Sequence, residues 1–221
     1  MKRVAAPAEA PKVLADFGQL HPDATWEKFK DKKKRRGRDV FDALAEAQGH
    51  LCAYCEIRIG RGELGQVEHF IPKSKGGAHL DIANMLAVCE GGTNPKLGER
   101  SLPPIPDTMH CGQLKGDRDP TGVILDPRTL PPDTVIWDIT VQGVLIVHEE
   151  RCRVAGIDPA LAKSTLEGLG LNRPVLVRLR KRILDGLRQS RLSPQQIDEL
   201  LAPQGDPLPE FYTTILLGAA S

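Results

Sequence analysis

The sequence predicts an α+β chain in which a loop-rich centre of short strands lies between helical flanks. Three observations predict it. Four of the five cysteines fall between Cys52 and Cys111. Two short β-prone runs, residues 67–71 and 85–88, occupy the same stretch and are separated by a glycine loop. Apolar residues at helical spacing dominate before Gly49 and again after Asp158.

A chain of 221 residues is long enough to bury a real core as one domain, with or without appended helices. Hydrophobic and charged fractions of 40% and 27% are those of an ordinary globular protein. No apolar run approaches the roughly 18 residues of a membrane span. The basic start, Met1-Lys2-Arg3, is not followed by an apolar segment of the signal-peptide kind, so a cytoplasmic protein is expected. A formal net charge of +1 announces no nucleic-acid binder in bulk. The distribution says more, because Lys28 to Arg38 carries eight basic residues against one acid. Such a run fits phosphate neutralisation by counterion release, and equally a solvated helix face or arm. An odd count of five cysteines in a cytoplasmic chain favours metal binding over a disulfide framework.

Residues 1–20, rich in Ala and Pro, read as irregular until Val13 and Leu14 find something to pack on. His21-Pro22-Asp23 reads as a turn, with Asp23 or Thr25 as N-cap. Asp39 is placed to cap a helix whose stripe is Phe41, Leu44 and Ala45, ending at Gly49. The three glycines of residues 57–65 mark a tight turn region. The first central strand ends at Pro72, a basic glycine loop follows, and Asn84 precedes the second strand. Residues 90–108 read as an insertion longer than ordinary loops. Further strand-like runs stand at 123–127 and 135–147, the second turning at Gln142-Gly143. Asp158-Pro159, Asn172-Arg173-Pro174 and Ser193-Pro194 each read as a helix start with proline in the first turn. The last apolar segment, residues 211–217, fits a docking element or a helix packed on its own domain.

Cys52-x2-Cys55 is a knuckle whose turn aims two thiolates at one cation. Cys89 and Cys111 complete a set of four, and four thiolates suit a closed, structural Zn²⁺ site. The competing reading is small buried cysteines. Cys152, outside the pattern, reads as a core residue. Glu68 and His69 stand side by side at a strand end, where one can hold a cation while the other faces a water. Phosphodiester hydrolysis needs both a base and a cation on the phosphate. Asn84 brings an amide that could orient the imidazole. Lys73, Lys75 and Lys115 are candidate phosphate contacts, with plain surface charge as the alternative. His79 reads as solvent-facing or as part of the site.

These motifs carry a resemblance. Cys-Ala-Tyr-Cys-Glu, Val-Glu-His-Phe-Ile-Pro-Lys-Ser, Asn-Met-Leu and Cys-x3-Lys-Gly-Asp resemble HNH endonucleases. More narrowly, they resemble the PtuB-type HNH proteins of Septu and retron anti-phage systems, as does the Ser164-Thr165-Leu166 to Asn172-Arg173 stretch. The resemblance implies a ββα-metal nuclease core with a structural zinc site. It further implies His69 as general base, Asn84 as its orienting partner, and Glu68 as ligand to a catalytic Mg²⁺ or Mn²⁺. An ATPase partner of the PtuA type, a nucleic-acid substrate (DNA first, possibly RNA) and a role in defence are implied as well. The chain departs from the family where a second metal ligand often follows the last cysteine. Gly112 stands there, so Gln113 or Asp117 would substitute, with Asp117 favoured for its charge, and His110 is expected to point elsewhere. The chain divides accordingly into a basic helical arm (1–50), a nuclease core with a zinc clip (51–126), and a hairpin with C-terminal helices (127–221). The alternative function is a non-catalytic zinc module with a degenerate HNH site.

Overall fold

The computed structural model describes residues 1–31, 34–60, 65–76, 78–93, 108–202 and 207–219, with the side chains of 31 and 34 excepted. Most of the long insertion, part of the glycine-rich turn after Gly60, Lys32 and Lys33, and part of the linker before the last helix lie outside the described residues. The architecture mixes helices with two small antiparallel sheets. No described helix is long and apolar enough to cross a membrane.

Helices α1 (Lys12–Leu20), α2 (Trp26–Asp31) and α3 (Lys34–Ala47) form the amino-terminal layer. Two expectations change here. Residues 12–20 are helical, because Leu14 is buried and Val13 and Phe17 pack beside it, one turn of apolar face meeting the core. Asp39 lies inside α3 rather than capping it, since the preceding Lys and Arg residues propagate a helix well and Arg35 lies 3.8 Å from Asp39 one turn on. Val40, Phe41, Leu44 and Ala45 are its buried face.

The central sheet pairs β1 (Gln66–His69) with β2 (Met85–Val88), so that Glu68 faces Leu86 and His69 faces Met85 across the ladder. All four residues of β2 are buried. Gln48, buried at the end of α3, stitches that helix to the sheet. Its side chain donates to the Leu51 and Ala87 carbonyls and accepts from the Ala87 amide. A bridge between Leu51 and Arg58 closes the turn that holds Cys52 and Cys55. A short helix, α4 (Cys111–Lys115), follows the insertion.

The second sheet is the hairpin β3 (Trp137–Ile139) and β4 (Leu145–Val147). Gly143 turns it at φ +87°, and a Cβ there would sit 2.5 Å from the Val177 carbonyl, so only glycine fits. Residues 123–127 form turns rather than a strand: Val123 and Ile124 amides bond back to the Pro120 carbonyl, and no described strand lies beside them to pair with. Five helices complete the chain: α5 (Glu149–Val154), α6 (Pro159–Gly168), α7 (Pro174–Ser190), α8 (Pro194–Leu201) and α9 (Tyr212–Ala219). Asp158 caps α6 through its side chain, and Ser193 with Gln196 forms a capping box on α8. Asn172 pins the start of α7 to the hairpin by exchanging two 2.9 Å bonds with the Leu145 backbone. The final helix packs on its own chain, against α7, α8 and β3. Its anchor is the buried Glu56 carboxylate, which accepts from the Thr213 amide at 2.8 Å and lies 3.0 Å from the Met1 ammonium.

Candidate active site

The site grows from the end of β1. His69 is 7% exposed, and the edge of its ring meets Trp26 of α2, centroids 5.5 Å apart. Its Nε2 lies 3.0 Å from the His79 carbonyl. A carbonyl can only accept, so Nε2 carries the proton and, in a neutral ring, Nδ1 keeps a free lone pair. Burial depresses the imidazole below its ordinary range, with the His79 carbonyl partly opposing, so the neutral ring prevails near pH 7. A neutral imidazole with one nitrogen committed and one open is equipped to take a proton from water.

Asn84 acts on the backbone beyond the imidazole and not on the ring. Its Oδ1 accepts from the Ile71 amide at 2.9 Å and its Nδ2 donates to the Ile71 carbonyl at 3.0 Å. This clamps the chain as it leaves β1, two residues past His69. The ring's own partner comes from His79, whose Nδ1 also accepts the Trp26 amide at 3.2 Å. Neither His79 role has a sequence signature, because one uses a backbone carbonyl and the other joins residues 53 positions apart.

Lys115, expected at the surface as a phosphate contact, is instead buried to 1% exposure beneath the Glu68–His69 end of β1. Its ammonium donates to the carbonyls of His69 (3.3 Å), Phe70 (3.2 Å) and Gly116 (3.3 Å). It also lies 2.9 Å from Glu68 Oε1, an enclosed atom with no hydrogen-bond donor in line, so that contact is an ion pair first. Burial raises the Glu68 carboxyl above the ordinary range, while Lys115 pulls the other way. A buried lysine is tolerated because α4 delivers it to three carbonyls and one carboxylate at once. Glu68 itself stays partly accessible, its side chain 12% exposed.

Gly112 now has a physical explanation. A Cβ at this position would lie 2.9 Å from Glu68 Oε2 and 3.4 Å from Val88. The Glu68 carboxylate therefore occupies the space that a side chain on α4 would need. Asp117 is exposed just beyond α4 and close enough to push the Glu68 carboxyl upward. Lys73 pairs with Glu27 of α2, and Lys75 is exposed.

The cysteines converge from three parts of the chain: the knuckle, the residue after β2, and the first residue of α4. The four sulfurs lie within 4.8 Å of one another and are buried. Cys52 and Cys111 are 3.9 Å apart, and Cys55 and Cys89 are 3.6 Å apart. Sulfurs about 2.3 Å from a tetrahedral zinc stand about 3.8 Å from each other, so the donor set fits Zn²⁺. Burial pushes the Cys55 and Cys111 thiols up, whereas Cys89, receiving donation from the other three, is pushed down. Four sulfurs crowded into one dry pocket are an arrangement that a divalent cation completes. His110 points into this cluster, its Nδ1 3.2 Å from Cys111 Sγ and 3.8 Å from Cys89 Sγ, where a ring N–H can donate to a thiolate. Cys152 is buried elsewhere, against the Ile136 carbonyl, as a core residue.

An Escherichia coli protein named "Retron Ec83 putative HNH endonuclease" is 32% identical over a 243-residue alignment that covers 97% of this chain and 92% of that protein. The chain belongs to the HNH endonuclease family. No family model matches it. Membership brings nuclease chemistry on nucleic acid at the level of the family, and it agrees with the neutral imidazole, the neighbouring carboxylate and the thiol cluster. In this HNH protein a glycine and a buried lysine of α4 frame the Glu68 carboxylate.

Proposed function

We propose that this HNH protein is a metal-dependent endonuclease that hydrolyses phosphodiester bonds, with DNA as the first candidate substrate. The observation that carries the reading is His69, with Nε2 committed to the His79 carbonyl and Nδ1 left as a base beside a carboxylate. The strand pair β1–β2 followed by α4 fits a ββα-metal core. In this reading His69 Nδ1 takes the proton of the attacking water, and Lys115 and Asn84 hold the backbone at His69 and just after it. Glu68, with Asp117 nearby, would hold Mg²⁺ or Mn²⁺, since a partly accessible carboxylate suits a hard cation. That ion supplies Lewis-acid polarisation of the scissile phosphate. Cys52, Cys55, Cys89 and Cys111 would hold a structural Zn²⁺ that fixes α4, and hence Lys115, beneath the catalytic edge.

The retron in the relative's name, together with the PtuB-type motifs, supports a role as nuclease effector in an anti-phage system restrained by an ATPase of the PtuA type. A nuclease that cut freely would damage its own cell, so restraint by a partner is physically sensible. A second reading is a non-catalytic zinc module binding nucleic acid or protein. It is favoured by Gly112, which offers no ligand, and by the engagement of Glu68 with Lys115. The deciding experiment compares wild type and His69→Ala on plasmid, with Mg²⁺ or EDTA, in the presence of the candidate ATPase. The proposal expects Mg²⁺-dependent cutting that falls about 10²–10⁴-fold in the variant, with fold and zinc content retained. Equal cutting by both proteins would refute the base, and no cutting by either would favour the second reading.

A further inference from the structure

Not all basic surface of the chain is alike. On α7, Lys181 and Arg188 both pair with Asp185, at 2.6 and 3.4 Å, Arg180 is buried against backbone carbonyls, and Arg178 and Arg182 are exposed. On α5, Arg153 pairs with Glu149 and Glu150. The arm α2–α3 differs. Lys28 and Lys30 are exposed and form no ion pair with a described side chain. Lys30 instead lies 5.8 Å over the Trp26 ring, and Arg36 lies over Phe17 and Phe29. Lys30 and Arg36 are thus held on an aromatic shelf, while Arg35 and Arg38 of α3 pair with Asp39 and Asp42.

The shelf is joined to the candidate base. Trp26, under Lys30, touches the His69 ring, and the Trp26 amide bonds His79, whose carbonyl receives His69 Nε2. Lys73, in the loop after β1, reaches Glu27 on the same helix. Charge on α2 therefore stands in a fixed relation to the catalytic edge, two side chains away from it.

We propose that the exposed face of α2, with Lys28 and Lys30, is the surface that grips the phosphate backbone of nucleic acid and leads it to His69. The proposal rests on the nuclease reading for its purpose, although the binding itself does not require cleavage. Exposed lysines on α2 can neutralise phosphates and release counterions while tied through Trp26 to His69, whereas Lys181, Arg188 and Arg153 would first have to give up their carboxylates. Each lost phosphate contact on duplex DNA reduces the log–log salt slope by about 0.9.

The test is equilibrium binding of the full chain to a labelled duplex in EDTA, between about 50 and 200 mM salt. Lys28→Gln/Lys30→Gln should flatten the slope by about 1.8, so that the affinity gap to wild type narrows about 12-fold across this range. A matched pair on α7, Arg178→Gln/Arg182→Gln, removes the same charge from exposed arginines with no described contact to His69 and should leave the slope as it is; melting curves verify that both fold. Equal slopes for wild type and the α2 variant, a loss confined to the α7 variant, or no duplex binding by wild type would each overturn the proposal. Cleavage in Mg²⁺ is read separately. Binding that depends on α2 without any cutting would sink the nuclease reading alone, and cutting with an indifferent α2 would sink this one alone.

Discussion

Replacing Lys115 by methionine keeps the length and most of the volume of the side chain and removes only the ammonium. Four partners lose it: Glu68 Oε1 at 2.9 Å and the carbonyls of His69, Phe70 and Gly116 at 3.2–3.3 Å. At 1% exposure no water can readily take its place. Breaking one side of a buried pair typically costs about 3–5 kcal/mol, because the surviving charge stays buried. For a chain of this size that lowers Tm on the order of 10 °C. The loss should depend on pH. Burial already holds the Glu68 carboxyl high and Lys115 draws it down, so removing the ammonium raises it further. A carboxyl whose folded pKa lies above its unfolded one adds no penalty below about pH 4.3. The penalty grows as pH rises toward the folded pKa. The Tm deficit of Lys115→Met should therefore be small near pH 4.5 and full at pH 8, and adding Glu68→Gln should recover part of it. Melts of the three proteins across that range, followed by circular dichroism, decide the matter. A deficit that is flat with pH, or a double variant no better than the single one, would show that Lys115 does not compensate Glu68.

Cys55→Ala should lose zinc, measured by elemental analysis, and be recovered mainly as insoluble protein, since metal binding is folding energy here; a soluble, folded, zinc-free variant contradicts the closed site. Gly112→Ala should keep zinc but push the Glu68 carboxylate off Lys115, because the new Cβ would come within 2.9 Å of Oε2. We expect cleavage to fall at least tenfold and Tm to drop, since the buried Glu68–Lys115 pair is disturbed, and unchanged cleavage would mean that Glu68 is not held in place by the glycine.

Much of the molecule was legible from local chemistry. The two-residue spacing of Cys52 and Cys55, the Glu68-His69 pair at a strand end, and the capping residues Asp158 and Ser193 act over a few positions, and the structure puts them in the expected elements. The amphipathic face of residues 12–20 was written there too, but their Ala- and Pro-rich neighbours masked a single helical turn of signal. Other features depend on partners that arrive from far along the chain. Lys115 looks like any surface lysine until α4 docks under β1, 46 residues away in sequence, and surrounds it with carbonyls. Asn84 holds the Ile71 backbone rather than the imidazole, and His79 supplies the imidazole's partner through a carbonyl that no side-chain pattern can announce. Trp26 likewise meets His69 only through the fold.

The sequence by itself determined the family, the thiol set and the pairing of a carboxylate with an imidazole, because these are properties of residue type and short spacing. Only the tertiary structure decided which cation faces Glu68, why a glycine stands at 112, and which basic helix lies against the base. Each of these turns on burial and on distances between segments remote in sequence, and desolvation, not residue type, sets what a buried charge can do.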